Sequence, residues 1–221
     1  MALAFDASAV KAFTAGSPVT FSHTCTGSDR ILIVFVWDTA GTSHGTTGVT
    51  YNGVAMTQIG TAQTHPTTGV SSTSAWYLIA PATGTNTISI ATTTAGSTAA
   101  VAMSYTGAKQ SGQPDSNAKN SYNTTAHTTW SLSTTVVASN CWLVAGMVDD
   151  SNAPTAGSGT TMRQNSASGF GGFDSNGTVS TGSQTLNFSF SSSGKQTGVI
   201  ASIAPSVAAA TTNPAFLLNF I

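Results

Sequence analysis

The strongest constraint on the fold is a set of short apolar runs, each bounded by turn-forming residues. In the clearest of them, residues 31–37 read ILIVFVW and lie between Gly27 and Asp38. Such a run is too short for a typical helix, and its lack of polar positions is typical of a strand buried on both faces. We therefore predict that residues 31–37 form a central strand of a β-sheet.

The composition excludes several other classes of protein. Charged residues make up only 6% of the chain, glutamate is absent, and about a third of the residues are serine or threonine. With so few charged side chains, no segment carries the polar stripe of an amphipathic helix, which argues against helical bundles and coiled coils. The formal net charge of −1 also leaves no basic surface for nucleic acid or an anionic membrane, so we expect neither as a partner.

Turn signals and alternating segments extend the β pattern along the first half. Asn52-Gly53 lies between two strand-like pieces and supplies the positive φ angles of a type I′ hairpin turn. Residues 81–86 predict a second turn. Further strands are predicted at residues 75–79, 87–91 and 99–105, where apolar and small residues predominate.

The second half repeats this order. Residues 141–150 match residues 31–38, since both are apolar runs that end in aspartate. Residues 183–190 and 198–203 likewise match the last two predicted strands of the first half. Two explanations stay open: an internal duplication, or a rhythm that β-sandwiches share. Residues 109–119, which lack periodicity, predict a surface connection within one fold or a link between two domains.

These patterns predict an all-β fold, an antiparallel β-sandwich or barrel. We expect an N-terminal segment at 1–16, a β-sandwich domain at 17–205 with possible half-repeats 17–108 and 122–205, and a C-terminal spacer and apolar tail at 206–221. The chain begins without a basic region or a long apolar region, so we expect no cleaved export signal.

Several segments resemble a known type of module: residues 29–34, 49–57, 76–85 and 104–107, and the closing residues 198–205. Over residues 17–205 the chain resembles a jelly-roll-like β-sandwich module of phage virion structural proteins and large bacterial surface proteins. The resemblance implies that both halves form one sandwich. It also implies a virion location, because the surface-protein relatives usually carry an export signal. The matching motifs are turn and core signatures and imply no catalysis.

Residues with catalytic potential are few. His23, His44, His65 and His127 are the histidines, and none belongs to a recognisable nucleophile motif. Hydrogen-bonded or solvated histidines are the expected outcome. Asp38 and Asp149 end equivalent predicted strands and are the only candidates for a pair of carboxylates, although an aspartate after a strand is more often a turn residue. We therefore predict that the protein is not an enzyme.

Metal and redox sites are also weakly indicated. Residues 149–152 and 174–177 offer clustered oxygen ligands of the kind that calcium binds, but without the spacing of an EF-hand, so Asx turns are the expected structure. We predict no cofactor. Cys25 and Cys141 lie near apolar runs, and buried thiols are favoured over a single disulfide.

Aromatic residues suggest a second class of function. Trp37, Trp76, Trp130 and Trp142 would suit a carbohydrate-stacking platform, but each lies in an apolar strand-like run, and core packing is the simpler interpretation. The glycine-rich loop of residues 166–176, with Phe170 and Phe173, is a better candidate for an exposed contact surface. A carbohydrate-binding β-sandwich module is therefore the alternative function.

The C-terminal residues provide the candidate binding element. Five of the last six side chains are apolar, namely Phe216, Leu217, Leu218, Phe220 and Ile221. We expect them to dock on a neighbouring copy or on their own sandwich, with a final strand of the same sandwich as the alternative. The leading hypothesis is a structural subunit of a phage particle, a capsid decoration protein or a tail or fibre component, whose partners are other copies of itself and other virion proteins.

Overall fold

The computed structural model describes residues 1–39, 45–65, 71–93, 96–150, 152–166 and 169–206, apart from the side chains of residues 122–126. These residues form sixteen β-strands and no helix. The strands are β1 (Ala4–Ala15), β2 (Val19–Cys25), β3 (Ile31–Thr39), β4 (Thr46–Tyr51), β5 (Val54–Ala55), β6 (Thr57–Gln58), β7 (Gln63–Thr64), β8 (Ser71–Ile79), β9 (Gly84–Thr92), β10 (Ser97–Thr106), β11 (Ser116–Val136), β12 (Trp142–Asp149), β13 (Thr155–Ala156), β14 (Thr161–Ser166), β15 (Phe170–Asp174) and β16 (Gly182–Ile203). The predicted all-β class is confirmed.

The strands form three antiparallel sheets. The first has the order β1-β10-β3-β8-β6, with β7 also paired to β8. The second has the order β11-β16-β12-β15-β14, with β13 also paired to β16. The third is the four-stranded sheet β2-β9-β4-β5. These layers agree with a β-sandwich, whereas the jelly-roll order stays a prediction.

Strand β3 is central and buried on both faces, as predicted. Because side chains alternate across a strand, Ile31, Ile33 and Phe35 enter one hydrophobic core. Leu32, Val34 and Val36 enter another. In the second sheet, Val144 and Val148 of β12 likewise share the core of Phe35. On the opposite face of β12, Leu143, Ala145 and Met147 enter a third core.

Three cores therefore separate the layers. The inner core lies between the first and second sheets and contains Phe35, Val101 and Val144. The first outer core, which contains Val34 and Ile88, lies between the first and third sheets. The second outer core lies inside the second sheet, where Leu132 and Leu186 fold over Leu143. The register between β11 and β16 shifts from Tyr122 to Thr129, which marks the bend of this sheet.

The two halves repeat one arrangement. The order β10-β3-β8 in the first sheet matches β16-β12-β15 in the second. Residues with positive φ precede both central strands, Asp29 before β3 and Asn140 before β12. Across the inner core, β10 contacts β15, β16 contacts β8, and β3 contacts β12, as an approximate twofold axis would require. This order is compatible with both explanations, an internal duplication and a shared β-sandwich rhythm, and the half-repeats stay a prediction.

Some element bounds differ from the sequence-based expectation. Residues 4–15, expected to lie outside the sandwich, form β1, which pairs with β10 along the edge of the first sheet. Strand β11 begins at Ser116, inside the expected surface connection. Residues 183–190 and 198–203 belong to one long strand, β16. Strand β9 begins at Gly84, within the predicted turn at 81–86.

The predicted hairpin turn is confirmed. Asn52 and Gly53 have φ angles of 50° and 77°, and they join β4 to β5. Both angles lie in the left-handed region that a type I′ turn requires.

Candidate functional site

The first half contains a serine, a histidine and an aspartate in hydrogen-bond contact. His23 Nε2 lies 3.0 Å from Ser104 Oγ. The Ser104 hydroxyl in turn donates to Asp6 Oδ2 at 2.7 Å. Strands β2, β10 and β1 therefore meet at this group. His23 is hydrogen-bonded, as expected from the sequence.

The geometry of this group does not suit nucleophilic catalysis. In a catalytic triad the histidine lies between serine and carboxylate and takes the serine proton. Here Ser104 lies in the middle and gives its proton to Asp6, so His23 Nε2 must be the donor to Ser104. Burial also lowers the pKa of His23 to about 4, although the negative charge of Asp6 acts to raise it. His23 is therefore a weak base. Ser104 itself is fully buried.

The second half contains an equivalent of this group without a histidine. Ser202 Oγ donates to Asp115 Oδ2 at 2.9 Å, as Ser104 does to Asp6. Asp115 also accepts from the amide of Val137 at 2.8 Å, as Asp6 accepts from the amide of Thr26 at 2.9 Å. The aspartate–serine pair therefore joins strands in both halves, which indicates a structural role.

Asp38 and Asp149 occupy equivalent positions but do not form a carboxylate pair. Asp38 lies on the face of β3 that points to the first outer core, and Asp149 lies on the face of β12 that points to the second. The inner core separates them. Their partners are also equivalent, since Thr98 donates to Asp38 at 3.5 Å and Gln196 donates to Asp149 at 2.7 Å.

The clustered oxygen ligands form turns, as expected. Asp149 Oδ1 accepts from the amide of Asn152 at 2.8 Å, and Asp174 Oδ1 accepts from the amide of Asn176 at 2.9 Å. Within the described part of the chain, no group of three or more histidine, cysteine or acidic residues is placed to hold a metal ion.

Both cysteines are buried free thiols, which confirms the favoured prediction. Burial raises the pKa of Cys141 to about 12, with a further contribution from Asp115. Burial also raises the pKa of Cys25. Neither thiol is therefore in the electropositive, accessible setting that makes a cysteine reactive.

The tryptophans form no exposed platform. Trp76, Trp130 and Trp142 are buried in the cores. Trp37 is partly buried and packs edge-on against Phe13, with ring centroids 4.6 Å apart. Core packing, the simpler interpretation, is therefore confirmed.

The prediction of an exposed contact surface at Phe170 and Phe173 is wrong. Both side chains are fully buried, Phe170 in the inner core and Phe173 in the second outer core. They lie in β15, whose glycines let this strand pack closely. A Cβ at Gly172 would collide with Val101 of β10, so the glycines mark close sheet packing and not an exposed loop.

A buried polar network between the halves was not predicted. Arg163 Nε and the Tyr105 hydroxyl both donate to Asp174 Oδ2, at 2.7 Å and 2.8 Å. The Arg163 guanidinium also lies 4.1 Å from the centre of the Phe5 ring. Because Phe5 and Tyr105 belong to the first half, the network fixes the halves together. The chain has only thirteen charged residues by formal count, and Arg163 and Asp174 are two of them. This scarcity of charged residues was the one sequence feature that could have drawn attention to the pair.

Two concave surfaces that are lined by described residues could receive a ligand. A groove of about 440 Å³ lies on the outer face of the second half and is lined by His127, Thr129, Ser131, Asn187 and Ser189, among others. A cleft of about 480 Å³ lies where the described chain ends and is lined by Met1, Leu3, Asn140, Pro205 and Ser206, among others. Both are lined mainly by neutral groups.

Some predicted residues lie outside the described part of the chain. These are His44 and the apolar tail residues Phe216, Leu217, Leu218, Phe220 and Ile221.

Comparisons with family models, with curated proteins and with solved structures found no match to this chain. Among the described residues, no helix is long and apolar enough to cross a membrane.

Proposed function

We propose that the chain is a non-enzymatic structural protein of a phage particle, a capsid decoration protein or a tail or fibre component. It acts through contacts with other copies of itself and with other virion proteins. The observation that carries this proposal is the use of the aspartate–serine pairs Asp6–Ser104 and Asp115–Ser202. Residue types suited to catalysis hold strands together in both halves of the molecule.

The electrostatics suit assembly. With a net charge of −1, copies of the chain repel one another only weakly. The ion pair between Arg163 and Asp174 is turned inward between the halves. The virion location itself rests on the resemblance of the turn and core motifs.

We propose residues 216–221 as the main binding element. The described chain ends at Ser206, on the rim of the cleft that Met1 and Pro205 also line. From there, residues 207–213 span up to roughly 23 Å when extended, at about 3.3 Å per residue, which is enough to reach a neighbouring copy. Burying five apolar side chains at about 25 cal/mol per Å² contributes several kcal/mol before the ordering cost.

Deleting residues 214–221 tests this proposal. We expect light scattering to show loss of oligomers, while far-UV circular dichroism and the melting temperature stay those of a folded β protein. The double substitution Phe216→Ser/Phe220→Ser keeps the length of the tail and should act in the same direction. Unfolding of both variants would instead identify the tail as a strand of its own sandwich. Unchanged oligomers would contradict its binding role.

A second candidate function is binding of a neutral glycan. The groove on the outer face offers the hydroxyls of Thr129, Ser131 and Ser189 and the amide of Asn187, which suit sugar hydroxyls. Trp130 also lines the groove, so its fluorescence reports binding directly. Titration with neutral oligosaccharides separates the two functions: a saturable shift that Asn187→Ala abolishes supports the glycan function.

A further inference from the structure

The outer half of β11, residues 128–136, is an edge of the second sheet. It pairs with β16 on one side, and among the described strands none pairs with it on the other. An edge strand presents unpaired N–H and C=O groups along its free side, and these can pair with another chain. We call residues 128–136 the β11 edge.

Apart from β11 itself, the edge strands of the three sheets are short, irregular or covered. Strands β5, β6, β7 and β13 each have two residues. Strand β1 carries Lys11 and two register shifts, and β14 carries Arg163 and one. Strand β2 is packed by β1, and Asp6 of β1 binds the amide of Thr26 just beyond its end.

The β11 edge is regular and uncharged, although Asp115 binds the amide of Val137 just beyond its end, as Asp6 binds that of Thr26. Its sequence, TTWSLSTTV, contains no charged residue and no proline. From Thr129 to Val136 its register with β16 is unbroken. Proteins that stay monomeric protect long, regular edges with charge, proline or bulges. Just beyond it, Val137 is 70% exposed.

We infer that the β11 edge is an interface at which a second copy of this chain adds its own β11 edge, antiparallel, about a twofold axis. This inference rests on the proposed function and names a second surface, besides the C-terminal tail, through which copies meet. The occupant is a second copy because a neutral, uninterrupted antiparallel edge is complementary to itself. The two edges are also equally long, because each copy contributes the same nine residues.

The burial pattern restricts the register, and full overlap of the two edges then selects one pairing. Trp130, Leu132, Thr134 and Val136 are buried, and the residues between them are exposed. Opposing residues of an antiparallel pair point to the same face, so buried positions must oppose buried positions. Pairing centred on Leu132 aligns all nine residues. It places Ser131 of one copy directly opposite Ser133 of the other.

Paired lysines test the interface. In Ser131→Lys/Ser133→Lys, each new ammonium faces another across the axis, while both side chains stay on the exposed face of the sheet. The matched control is Thr20→Lys/Ser22→Lys, because these exposed residues occupy the equivalent positions on β2. Sedimentation velocity measures the association of the parent chain and both variants at one concentration, and circular dichroism verifies the fold.

Disulfide trapping tests the register independently. Oxidation of Ser131→Cys/Ser133→Cys should join two copies covalently, since opposing residues of such a pair bring their Cβ atoms within disulfide range. The equivalent Thr20→Cys/Ser22→Cys variant should stay uncoupled.

The inference predicts that the β11 lysine variant loses the β11-dependent association, at least tenfold in dissociation constant, while the β2 variant keeps that of the parent chain. The inference is wrong if the parent chain associates, the β11 lysine variant associates equally and the cysteine variant does not cross-link. That result leaves the proposed function standing. A parent chain that stays monomeric at every concentration overturns both.

Discussion

Phe35 and Gly146 occupy equivalent positions in the two halves and meet across the inner core. Phe35 opposes Val101 in the first sheet, and Gly146 opposes Val199 in the second, at matching points of β3 and β12. A Cβ at Gly146 would overlap the Phe35 ring. One half therefore supplies a ring and the other supplies the space for it, close to the approximate twofold axis.

The first prediction concerns this contact. Gly146→Ala should destabilise the fold by about 1–3 kcal/mol, because the ring must shift in a closely packed core. Combining it with Phe35→Ala should cost less than the sum of the single substitutions, since alanine lacks Cγ and Cδ1, two of the three Phe35 atoms that the new Cβ would overlap. Urea denaturation of the four proteins gives the coupling free energy. Additive effects would show that the two residues do not meet.

The second prediction concerns the hairpin turn. Gly53→Val should destabilise by about 1 kcal/mol or more, because its φ of 77° is strained for a β-branched residue. Gly48→Val is the control: a Cβ also meets open space there, but no left-handed φ is required. Equal melting temperatures for the two variants would count against a backbone origin.

The third prediction concerns acid stability. The folded-state pKa of His23, about 4, lies below its unfolded value near 6.5. The unfolded chain therefore binds a proton first as the pH falls, so stability decreases between about pH 6.5 and pH 4 by up to about 3 kcal/mol. His23→Gln should remove this part of the pH dependence. Parallel stability curves for the two proteins across that range would refute the assignment.

The fourth prediction concerns the network between the halves. Tyr105→Phe should cost about 1.5–3 kcal/mol, since the hydroxyl donates to the buried carboxylate of Asp174. Tyr77→Phe, at a partly exposed position of β8, is the matched control and should cost much less. Chemical denaturation measures the free energy of unfolding of both variants. An unchanged value for Tyr105→Phe would show that the hydrogen bond to Asp174 does not stabilise the fold.

The fifth prediction concerns the thiols. Cys25 and Cys141 should resist a thiol-specific reagent in the native protein and react together when it unfolds, because both are buried with raised pKa values. A Ser22→Cys variant adds one exposed thiol and should show one fast equivalent. Fast reaction of the parent protein would contradict the burial.

Sequence patterns predicted the central strands and the turn because these depend on local chemistry. The run at residues 31–37 had no polar position, and Asn52-Gly53 had the residues that a type I′ turn needs. The role of residues 4–15 as a strand was missed because the segment gains its partner, β10, from about ninety residues away along the chain. The alternation of small and polar residues in β1 gave no comparable signal.

The position of the functional groups could not be predicted for a similar reason. His23, Ser104 and Asp6 come together only when β1 pairs with β10 and β2, from the third sheet, packs against them, and periodicity does not encode that meeting. The error at Phe170 and Phe173 has the opposite origin. Glycines around aromatic residues were interpreted as a loop, but Gly172 allows β15 to pack against β10, and Gly171 leaves room for Phe173 and Pro154.

The molar mass of the intact chain in solution tests the central claim most directly. Light scattering after size exclusion, over a range of concentrations, should give a multiple of 22.2 kDa that rises with concentration toward a defined oligomer. A mass of 22.2 kDa at every concentration, together with a tryptophan fluorescence shift on adding oligosaccharide, would contradict the structural-subunit account and favour a glycan-binding module.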